Sequence, residues 1–527
     1  MPPSQSTKPA GGLLRSSLLV GSLTMLSRVL GLCRDVVIAI FIGANANADA
    51  FFIAFKVPNF LRRLFAEGAF SQAFVPVLSE YRTQRTHGEV RQLVNSVAGA
   101  LGVVLLGTCV LAVLAAPLVT VVFAPGFYSQ PEKFTLTSEL LRITFPYLLL
   151  ISLAGFAGSI LNSYNRFAVP AFTPVLLNLS LIAGALLLAP RMEQPVFALA
   201  WAVIIAGILQ LALQFPFLSR IGLMPRPRVD WGHPGVKRIL VLMVPALFGV
   251  SVSQINLLLD TVLASFLPTG SVSWLYYSDR LVELPLGVFG IAVATVILPT
   301  LSRQHSDSGA EQFARPLDWA MRMVLLVSVP ATAALLVLAE PLLMTLFNYG
   351  TFTGHDATMA SFSLQAYALG LLAFMLIKVL AAGYYAQQDM KTPVRIGIIA
   401  MVVNMVLNVV FVVPLYFLFN IGHVGLALAT SLAAFVNAGL LLRGLLRTDV
   451  VVWQSGFLKN CARVLAAALA MAVFLLLYKG DTALWQALDV YGRAFRTLWL
   501  CAAGAAIYFL VLALLGARLS HFRTRSH

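Results

Sequence analysis

The run LVNSVAGALGVVLLGTCVLAVLAAPLVTVVF, at residues 93–123, contains no charged side chain. A helix needs about 20 consecutive apolar residues to cross the hydrocarbon core of a bilayer, and this run exceeds that length. The apolar residues are continuous rather than alternating, unlike those in a strand of an outer-membrane barrel. The run therefore predicts a transmembrane helix.

The whole chain has the same apolar character. Of its 527 residues, 59% are hydrophobic and 11% are charged, against roughly 45–50% and about 25% in an average soluble domain. The mean hydropathy is +0.88. So few charges could not cover the surface of a soluble protein of this length, which excludes a soluble enzyme, a disordered chain and a fibrous repeat. We predict an all-α polytopic membrane protein.

Apolar runs of spanning length recur along the chain and are separated by clusters of Pro, Gly and charged residues. We predict 14 transmembrane helices, at 14–42, 49–80, 93–123, 136–162, 168–189, 196–218, 237–267, 272–302, 318–347, 358–386, 394–417, 422–446, 458–478 and 494–516.

Basic residues are divided unevenly between the loops on the two sides of these spans. The side that carries the N-terminus has 21 Lys and Arg residues, and the other side has five. The positive-inside rule therefore predicts that both termini are cytoplasmic. The same rule accounts for the net charge of +15, so no nucleic-acid partner is predicted.

Short sequence matches recur at an offset near 225 residues. DVVIAIF at 35–41 resembles DTVLASF at 260–266, and PVLS at 76–79 resembles PTLS at 299–302. This offset covers six helices, and an even number gives parallel repeats. We predict two six-helix lobes related by a pseudo-two-fold around a central cavity, an architecture typical of alternating-access transporters. The predicted parts are a flexible cytoplasmic N-terminus (1–12), an N-lobe (13–219), a basic cytoplasmic linker (220–236), a C-lobe (237–448), two C-terminal helices (449–518) and a cytoplasmic tail (519–527).

Charged residues inside the predicted spans concentrate in the first two helices of each lobe. Each costs roughly 2.5–3.5 kcal/mol at the bilayer centre. Two facing lobes would bring these helices together around one cavity. The candidate cavity residues in the first, second and eighth spans are Arg28, Arg34, Asp35, Asp49, Lys56, Arg62, Arg63, Glu67, Asp279, Arg280 and Glu283.

The spacing and chemistry of these charges indicate what they do. Asp49, Lys56 and Arg63 are seven residues apart and should form one stripe along a helix. Arg280 and Glu283 are three apart and could pair locally. Arginine stays charged when desolvated, and its planar fork grips two phosphate oxygens, so the cavity suits a phosphate or pyrophosphate. The alternatives are interhelical salt bridges and snorkelling to the interface.

Two further sets of residues are candidates. Helix breakers lie beside the charges and could act as hinges, although Pro and Gly are also simply common in membrane helices; they are Gly31, Pro58, Gly68, Pro285 and Gly287. Oxygen-bearing side chains in later spans suit Na⁺ or H⁺ coupling, with interhelical hydrogen bonding as the alternative; they are Asp260, Asn404, Asn408 and Thr430.

The motifs around these residues are distinctive: RVLGLCRD at 28–35, PNFLRR at 58–63, FAEGAFSQAF at 65–74, SVSWLYYSDRL at 271–281 and YAQQDMKTP at 385–393. Together they resemble the MviN/MurJ family of lipid II flippases, in the multidrug/oligosaccharidyl-lipid/polysaccharide exporter superfamily. The resemblance implies that fold, with a cationic cavity and a lipid-tail groove near helices 13 and 14. It implies transport of lipid II, the undecaprenyl-diphosphate-linked peptidoglycan precursor, to the outer leaflet of the bacterial cytoplasmic (inner) membrane for cell-wall synthesis.

The resemblance also implies roles for particular residues. The family's diphosphate-contacting arginines correspond to Arg28, Arg34, Arg62 and Arg280, and its cavity acids to Asp35, Asp49 and Glu283. The Na⁺ site of part of the family corresponds to Asp260, Asn404, Asn408 and Thr430, with Asn408 in place of an expected carboxylate. No enzymatic cofactor is implied. A coupling ion (Na⁺ or H⁺) or the membrane potential would drive transport, and contacts with the cell-wall synthesis machinery are a further expectation.

Two other functions suit such a chain. A cation-coupled multidrug or polysaccharide-lipid exporter would share the fold, but a cavity for cationic drugs should be acidic or aromatic, and this one is net basic. A membrane enzyme acting on lipid pyrophosphates would need a His nucleophile or a metal-binding acid cluster. All seven histidines are predicted in loops or the tail, so we predict neither catalytic nor metal-binding residues.

Overall fold

The computed structural model describes residues 10–292, 310–448 and 456–516, and within these ranges it contains helices and no strands. The prediction of an all-α protein is therefore confirmed for the described part of the chain.

The described residues form two compact units. The first consists of the described residues up to Ile42 together with Ala46–Phe266. Its helices are α1 (Ala10–Phe41), α2 (Ala46–Leu61), a π-helix (Arg62–Phe70), α3 (Ser71–Gln84), α4 (His87–Leu114), α5 (Ala116–Phe123), α6 (Pro131–Thr144), α7 (Tyr147–Ser163), α8 (Ala168–Ala183), α9 (Pro195–Ala212), α10 (Phe215–Arg220) and α11 (Pro234–Ser265).

The second unit consists of Gly43–Asn45 and the described residues from Leu267 onward. Its helices are α12 (Ser271–Ala292), α13 (Ala310–Leu346), α14 (Gly354–Ala386), α15 (Lys391–Phe419), α16 (Gly422–Arg447), α17 (Phe457–Tyr478), α18 (Thr482–Ala487) and α19 (Val490–Leu514).

The boundary between these units differs from the boundary that the internal repeat suggests. The contacts that α11 makes with other residues place it in the first unit, whereas the internal repeat assigns residues 237–267 to the second lobe. The repeat rests on sequence correspondence rather than on packing, so the predicted division into lobes, linker and C-terminal helices stays a prediction.

Ten helical segments in the described ranges are long and apolar enough to cross a membrane. They correspond to the third to sixth and the ninth to fourteenth predicted spans. The other four predicted spans are the first two of each lobe, which carry the charged residues discussed above. The chain is a multi-pass membrane protein, and the count of 14 spans stays a prediction.

Aromatic side chains form much of the core of the first unit. Phe70 and Phe74 stack with their ring centroids 5.2 Å apart, and Phe156 of α7 lies 5.0 Å from Phe74. Leu93 of α4 and Ile160 of α7 are fully buried in the same cluster. Offset and tilted aromatic pairs of this kind add to the stabilisation from burial alone. The cluster packs the end of the π-helix and α3 against α4 and α7.

The start of α15 is capped by Asp389, which lies outside the spanning segments. Its Oδ1 accepts hydrogen bonds from the backbone N–H groups of Lys391 and Thr392, both at 3.0 Å. Hydrogen bonds from Thr392, from its hydroxyl and then its N–H, hold the pKa of Asp389 below its ordinary value. The ionised carboxylate is therefore the form that stabilises the helix.

Replacing Asp389 with alanine should lower the free energy of unfolding by about 1 kcal/mol at neutral pH. Because the folded pKa is depressed, this contribution is complete above the unfolded value of about 3.9 and is lost as the pH falls through the folded value. Thermal unfolding of both proteins in detergent, followed from about pH 7 down to about pH 3, should show the difference shrinking only at the acid end. A difference that is constant across this range would contradict the prediction.

Candidate functional site

Arg34 and Asp35 form a buried ion pair on α1. Arg34 Nη2 and Nε donate to Asp35 Oδ1 at 2.7 and 2.9 Å, and the two residues are 8% and 1% exposed. Arg34 Nη1 also donates to Asn178 Oδ1 of α8 at 3.0 Å, and Asn178 Nδ2 in turn donates to the Ser27 carbonyl at 2.8 Å. The guanidinium of Arg34 is therefore neutralised and held in one orientation by α8.

Arg28 lies nearly two turns before Arg34 on the same helix, in a different environment. Its side chain is partly exposed, and its Nε is buried with no hydrogen-bond partner in the described part of the chain. A buried guanidinium donor that lacks an acceptor is costly. Among the predicted diphosphate-contacting arginines, Arg28 is therefore well suited to gain a hydrogen bond from an anionic ligand.

Asp49 forms a second buried ion pair, with Lys133 of α6. Lys133 Nζ lies 2.8 Å from Asp49 Oδ2 and 4.1 Å from the ring centroid of Phe127. Asp49 is 0% exposed and Lys133 is 4% exposed. Nothing in the sequence indicates this partner, because Lys133 lies between the predicted spans 93–123 and 136–162.

The residues of the predicted stripe, Asp49, Lys56 and Arg63, differ in burial, and their shared role stays a prediction. Asp49 is fully buried, whereas Lys56 and Arg63 are exposed. One reason is that α6 supplies the partner that encloses Asp49. The other concerns Arg63 alone: the helix changes to the wider π form from Arg62 onward, so the direction of Arg63 relative to Asp49 and Lys56 changes.

The π-helix Arg62–Phe70 contains several of the predicted site residues. Arg62 Nε donates to Asn59 Oδ1 at 3.4 Å. Pro58 lies in α2 one turn before the π-helix, and Gly68 lies within it. The side chain of Glu67 lies outside the described residues. Departures from α geometry of the π type are frequent at functional sites, and this one contains the predicted hinge residue Gly68 and begins one turn after Pro58.

Three other predicted hinge residues lie in continuous helix. α1 continues through Gly31, and α12 continues through Pro285 and Gly287. A Cβ at Gly31 would lie 3.7 Å from Asn178 Nδ2, which is an ordinary contact distance. A hinge role for these three residues stays a prediction.

In the second unit, Arg280 of α12 is paired with nearby acids. Its Nη1 lies 2.8 Å from Glu283 Oε2, which confirms the pairing expected from the i, i+3 spacing, and its Nη2 lies 4.0 Å from Asp279 Oδ2. Its guanidinium also lies over the Tyr276 ring, 4.9 Å from the centroid. Unlike the pair on α1, this cluster is partly exposed, with side-chain exposures of 31% for Arg280 and 43% for Glu283.

The residues of the predicted cation site lie on three helices. Asn404 and Asn408 are buried on α15, at 1% and 0% exposure. The Thr430 hydroxyl on α16 donates to the Leu426 carbonyl at 2.9 Å. Asp260 lies on α11 of the first unit and is partly exposed. A role for this set in ion coupling stays a prediction.

Sequence analysis missed a buried polar cluster in the second unit. Trp274 Nε1 donates to Asp356 Oδ1 at 2.9 Å, and the Trp274 and His423 rings lie 4.9 Å apart. His423 is 0% exposed in the first turn of α16. The prediction that every histidine lies in a loop or the tail was therefore wrong for His423, which the predicted span 422–446 already included, and for His87 and His355, which lie in the first turns of α4 and α14. Of the others, His305, His521 and His527 lie outside the described residues.

A known protein family matches most of this chain. The model of the family described as "Lipid II flippase MurJ" matches residues 38–492, which is most of the chain. The chain belongs to the lipid II flippase MurJ family. The resemblance drawn from the motifs is thereby confirmed.

Individual members of the MurJ family are similar over nearly their full length. A probable lipid II flippase MurJ of Vibrio cholerae is 50% identical over 518 residues, which cover 97% of this chain and 98% of that protein. The lipid II flippase MurJ of Burkholderia cenocepacia is 42% identical over 527 residues, covering 98% of this chain and 99% of that protein.

Solved structures give the same result for the fold. A lipid II flippase MurJ in an inward closed conformation has a TM-score of 0.79 and 29% identity, covering 94% of this chain and 98% of that one. An inward-facing multidrug-resistance MATE transporter of the MOP superfamily has a TM-score of 0.64 and 14% identity, covering 84% and 99%. The predicted exporter-superfamily fold is therefore confirmed. Within this MurJ-family fold, the substrate-binding roles of Arg28, Arg34, Arg62 and Arg280 stay predictions, as do those of the cavity acids.

Proposed function

We propose that this chain is a flippase that moves lipid II from the cytoplasmic to the outer leaflet of the bacterial cytoplasmic membrane, with both termini in the cytoplasm. Membership of the MurJ family over most of the chain supports this substrate. The observation that carries the proposal is the buried, unpartnered Nε of Arg28 on α1. A guanidinium in an apolar helix is costly, and a diphosphate supplies the acceptors that it lacks.

The proposed mechanism separates the two ends of the lipid. The diphosphate and its sugar-peptide head enter a water-filled space, where arginine guanidinium groups replace part of the hydration shell of the phosphates. The lipid tail stays in the bilayer or in a groove near α17 and α19, because exposing it to water would cost about 0.8 kcal/mol per CH₂. Alternating access then releases the head on the outer side.

Arg34 and Arg280 are proposed to have different roles in this transport cycle. Arg34 is already neutralised by Asp35 and bonded to Asn178 of α8, so its proposed role is to hold α1 against α8 and thereby keep Arg28 in position for the diphosphate. Arg280 lies in a partly exposed cluster with Glu283, so it can exchange a carboxylate for a phosphate with less desolvation. Binding of an anionic head favours closure, because an uncompensated cationic site resists removal from water.

The driving force is proposed to be the membrane potential or a coupling ion. The potential supplies about 2.3 kcal/mol per charge per 100 mV. The amides of Asn404 and Asn408 and the hydroxyl of Thr430 are oxygen ligands of the kind that Na⁺ accepts, and Asp260 would add a carboxylate. Membership of the MurJ family is also the reason for proposing contacts with other proteins of cell-wall synthesis.

The two competing functions have less support. A drug exporter shares the superfamily fold, but α1 and the π-helix together carry five arginines and two acids. In the described part of the chain, no group of three or more His, Cys, Asp and Glu residues could hold a metal ion, and the histidine that is buried packs against Trp274 rather than beside a nucleophile or acid pair.

The test is leaflet transfer in proteoliposomes. The purified protein should move fluorescent lipid II, measured by protection from an aqueous quencher, faster than protein-free vesicles do. Ethidium, as a cationic drug, should not be transported, and no inorganic phosphate should be released from lipid II. Repeating the assay with a Na⁺ gradient, a pH gradient or a K⁺-valinomycin potential identifies the driving force. Drug transport without lipid II transfer, or release of phosphate, would overturn the proposal.

A further inference from the structure

The basic segment that precedes α11 is fixed to the surface of α4. The backbone N–H of Arg226 donates to Asn95 Oδ1 at 2.8 Å, and the N–H of Arg228 donates to the Asn95 carbonyl at 3.0 Å. At Gly99, one turn further along α4, an added Cβ would lie 2.2 Å from the Arg228 carbonyl oxygen. Only glycine permits this approach, so the segment is packed directly on the helix backbone.

The exposed apolar residues of α4 and α5 indicate where the contact between this segment and α4 lies relative to the hydrocarbon core of the bilayer. They begin at Val103, which is 48% exposed, and extend to Val122, which is 54% exposed. At about 1.5 Å per residue this interval covers about 30 Å, the thickness of the hydrocarbon core. Asn95 and Gly99 precede Val103 by eight and four residues, or about 12 and 6 Å. The Arg226–Arg228 segment is therefore level with the lipid headgroups.

The exposed residues of α11 independently indicate where the headgroup region ends and the hydrocarbon core begins. Its exposed apolar residues begin at Leu240 and Val241, which are 45% and 70% exposed. They follow immediately after Lys237 and Arg238, which are exposed. Arg238 is already paired with Glu80 of α3 at 2.7 Å. The segment that leads into α11 thus ends where the apolar, lipid-facing surface of this helix begins.

The side chains of the segment are of the types that are enriched in proteins at the level of the lipid headgroups. Arg226 and Arg228 are exposed, and Val229 and Trp231 are 55% and 44% exposed. Asp230 is the only acid among them, and its Oδ1 accepts a hydrogen bond from the Gly232 N–H at 3.0 Å. Tryptophan is enriched at the headgroup level, and clustered arginines beside a membrane attract anionic lipids.

We propose that residues 226–231 form a binding surface for anionic phospholipids of the inner leaflet, in which Arg226 and Arg228 contact lipid phosphates and Trp231 inserts between headgroups. The contacts with Asn95 hold this surface at headgroup depth before any lipid binds, so little ordering of the chain accompanies binding. The inference concerns lipids that surround the protein and does not depend on the transported substrate.

The first test compares lipid retention by native mass spectrometry of the full chain in detergent. Phosphatidylglycerol is titrated against phosphatidylcholine for the wild-type protein and for the R226Q/R228Q variant. Both hydrogen bonds to Asn95 come from backbone N–H groups, so this variant keeps the segment in place. Removing each charge should weaken phosphatidylglycerol binding about fivefold, with phosphatidylcholine unaffected.

The matched control is the R85Q/R91Q variant, which loses the same charge from two exposed positions, the residue that follows α3 and the second turn of α4. Its phosphatidylglycerol binding should equal that of the wild type. An equal loss in both variants would show a non-specific effect of net charge, and no loss in either would show that the segment does not bind lipid. Either result overturns the proposal.

The second test measures the depth of Trp231 in phosphatidylglycerol vesicles. Its fluorescence is obtained as the difference between the wild type and the Trp231→Phe variant. Lipids brominated near the headgroup should quench this difference more strongly than lipids brominated deep in the acyl chain, and aqueous iodide should quench it weakly. Strong iodide quenching with no effect of brominated lipid would place Trp231 in water and contradict the proposal.

Discussion

Replacing Arg28 with glutamine is expected to slow lipid II transfer by about 10- to 100-fold. A hydrogen bond to a charged group contributes about 1.5–3 kcal/mol, and each 1.4 kcal/mol corresponds to about a tenfold change. The same replacement should leave the unfolding temperature almost unchanged, because Arg28 Nε has no hydrogen-bond partner in the described chain that the substitution would remove. The rate is measured in proteoliposomes, and stability by thermal unfolding in detergent.

Arg34→Gln provides the matched control on the same helix. This substitution removes both hydrogen bonds from Arg34 to Asp35 and takes a guanidinium away from a carboxylate that is 1% exposed. It should therefore lower the unfolding temperature as well as the transfer rate. If Arg28→Gln destabilised the protein as much as Arg34→Gln, or transferred lipid II at the wild-type rate, the assignment of Arg28 to the substrate would be wrong.

Replacing Lys133 with methionine is expected to produce the largest loss of stability. Removing one partner of a buried ion pair costs about 3–5 kcal/mol, because the remaining charge stays in a low-dielectric environment. Asp49 is 0% exposed, so its carboxylate cannot recover hydration without local unfolding. The loss should appear as a markedly lower unfolding temperature in detergent and as a reduced yield of monodisperse protein.

The double variant D49N/K133M separates the ion pair from simple packing. It removes both charges and keeps similar side-chain volumes, so most of the lost stability should return. The coupling between the two sites is obtained from a double-mutant cycle. A double variant as unstable as Lys133→Met would show that the lysine stem, packed against Phe127, carries the stability instead of the charge.

Much of the fold was accessible from the sequence because hydrocarbon imposes strong local rules. Runs such as 93–123 have to be helical, since each backbone group in the bilayer needs a partner within its own segment. The cost of charges in a membrane also singled out Arg28, Arg34, Asp49 and Arg280 without any structural information. The Arg280–Glu283 pair followed from helical spacing alone.

Other features depend on contacts between residues that are far apart in the sequence. Asp49 and Lys133 are separated by 84 residues, and Arg34 and Asn178 by 144. Asn178 is a neutral residue in an apolar span, so neither charge nor periodicity distinguishes it. The π-helix at Arg62–Phe70 was also unpredictable, because a heptad spacing such as that of Asp49, Lys56 and Arg63 assumes α-helical turns throughout.

The Asp49–Lys133 pair has a consequence for how the protein is made. Ribosomes add about 5–20 residues per second, so Lys133 is added to the chain roughly 4–17 seconds after Asp49. During this interval the aspartate lacks the ammonium group of Lys133, and inserting it as an anion is unfavourable. We therefore expect stable integration of α2 to follow the arrival of α6, with the nascent N-terminal helices dependent on the insertion machinery until that moment.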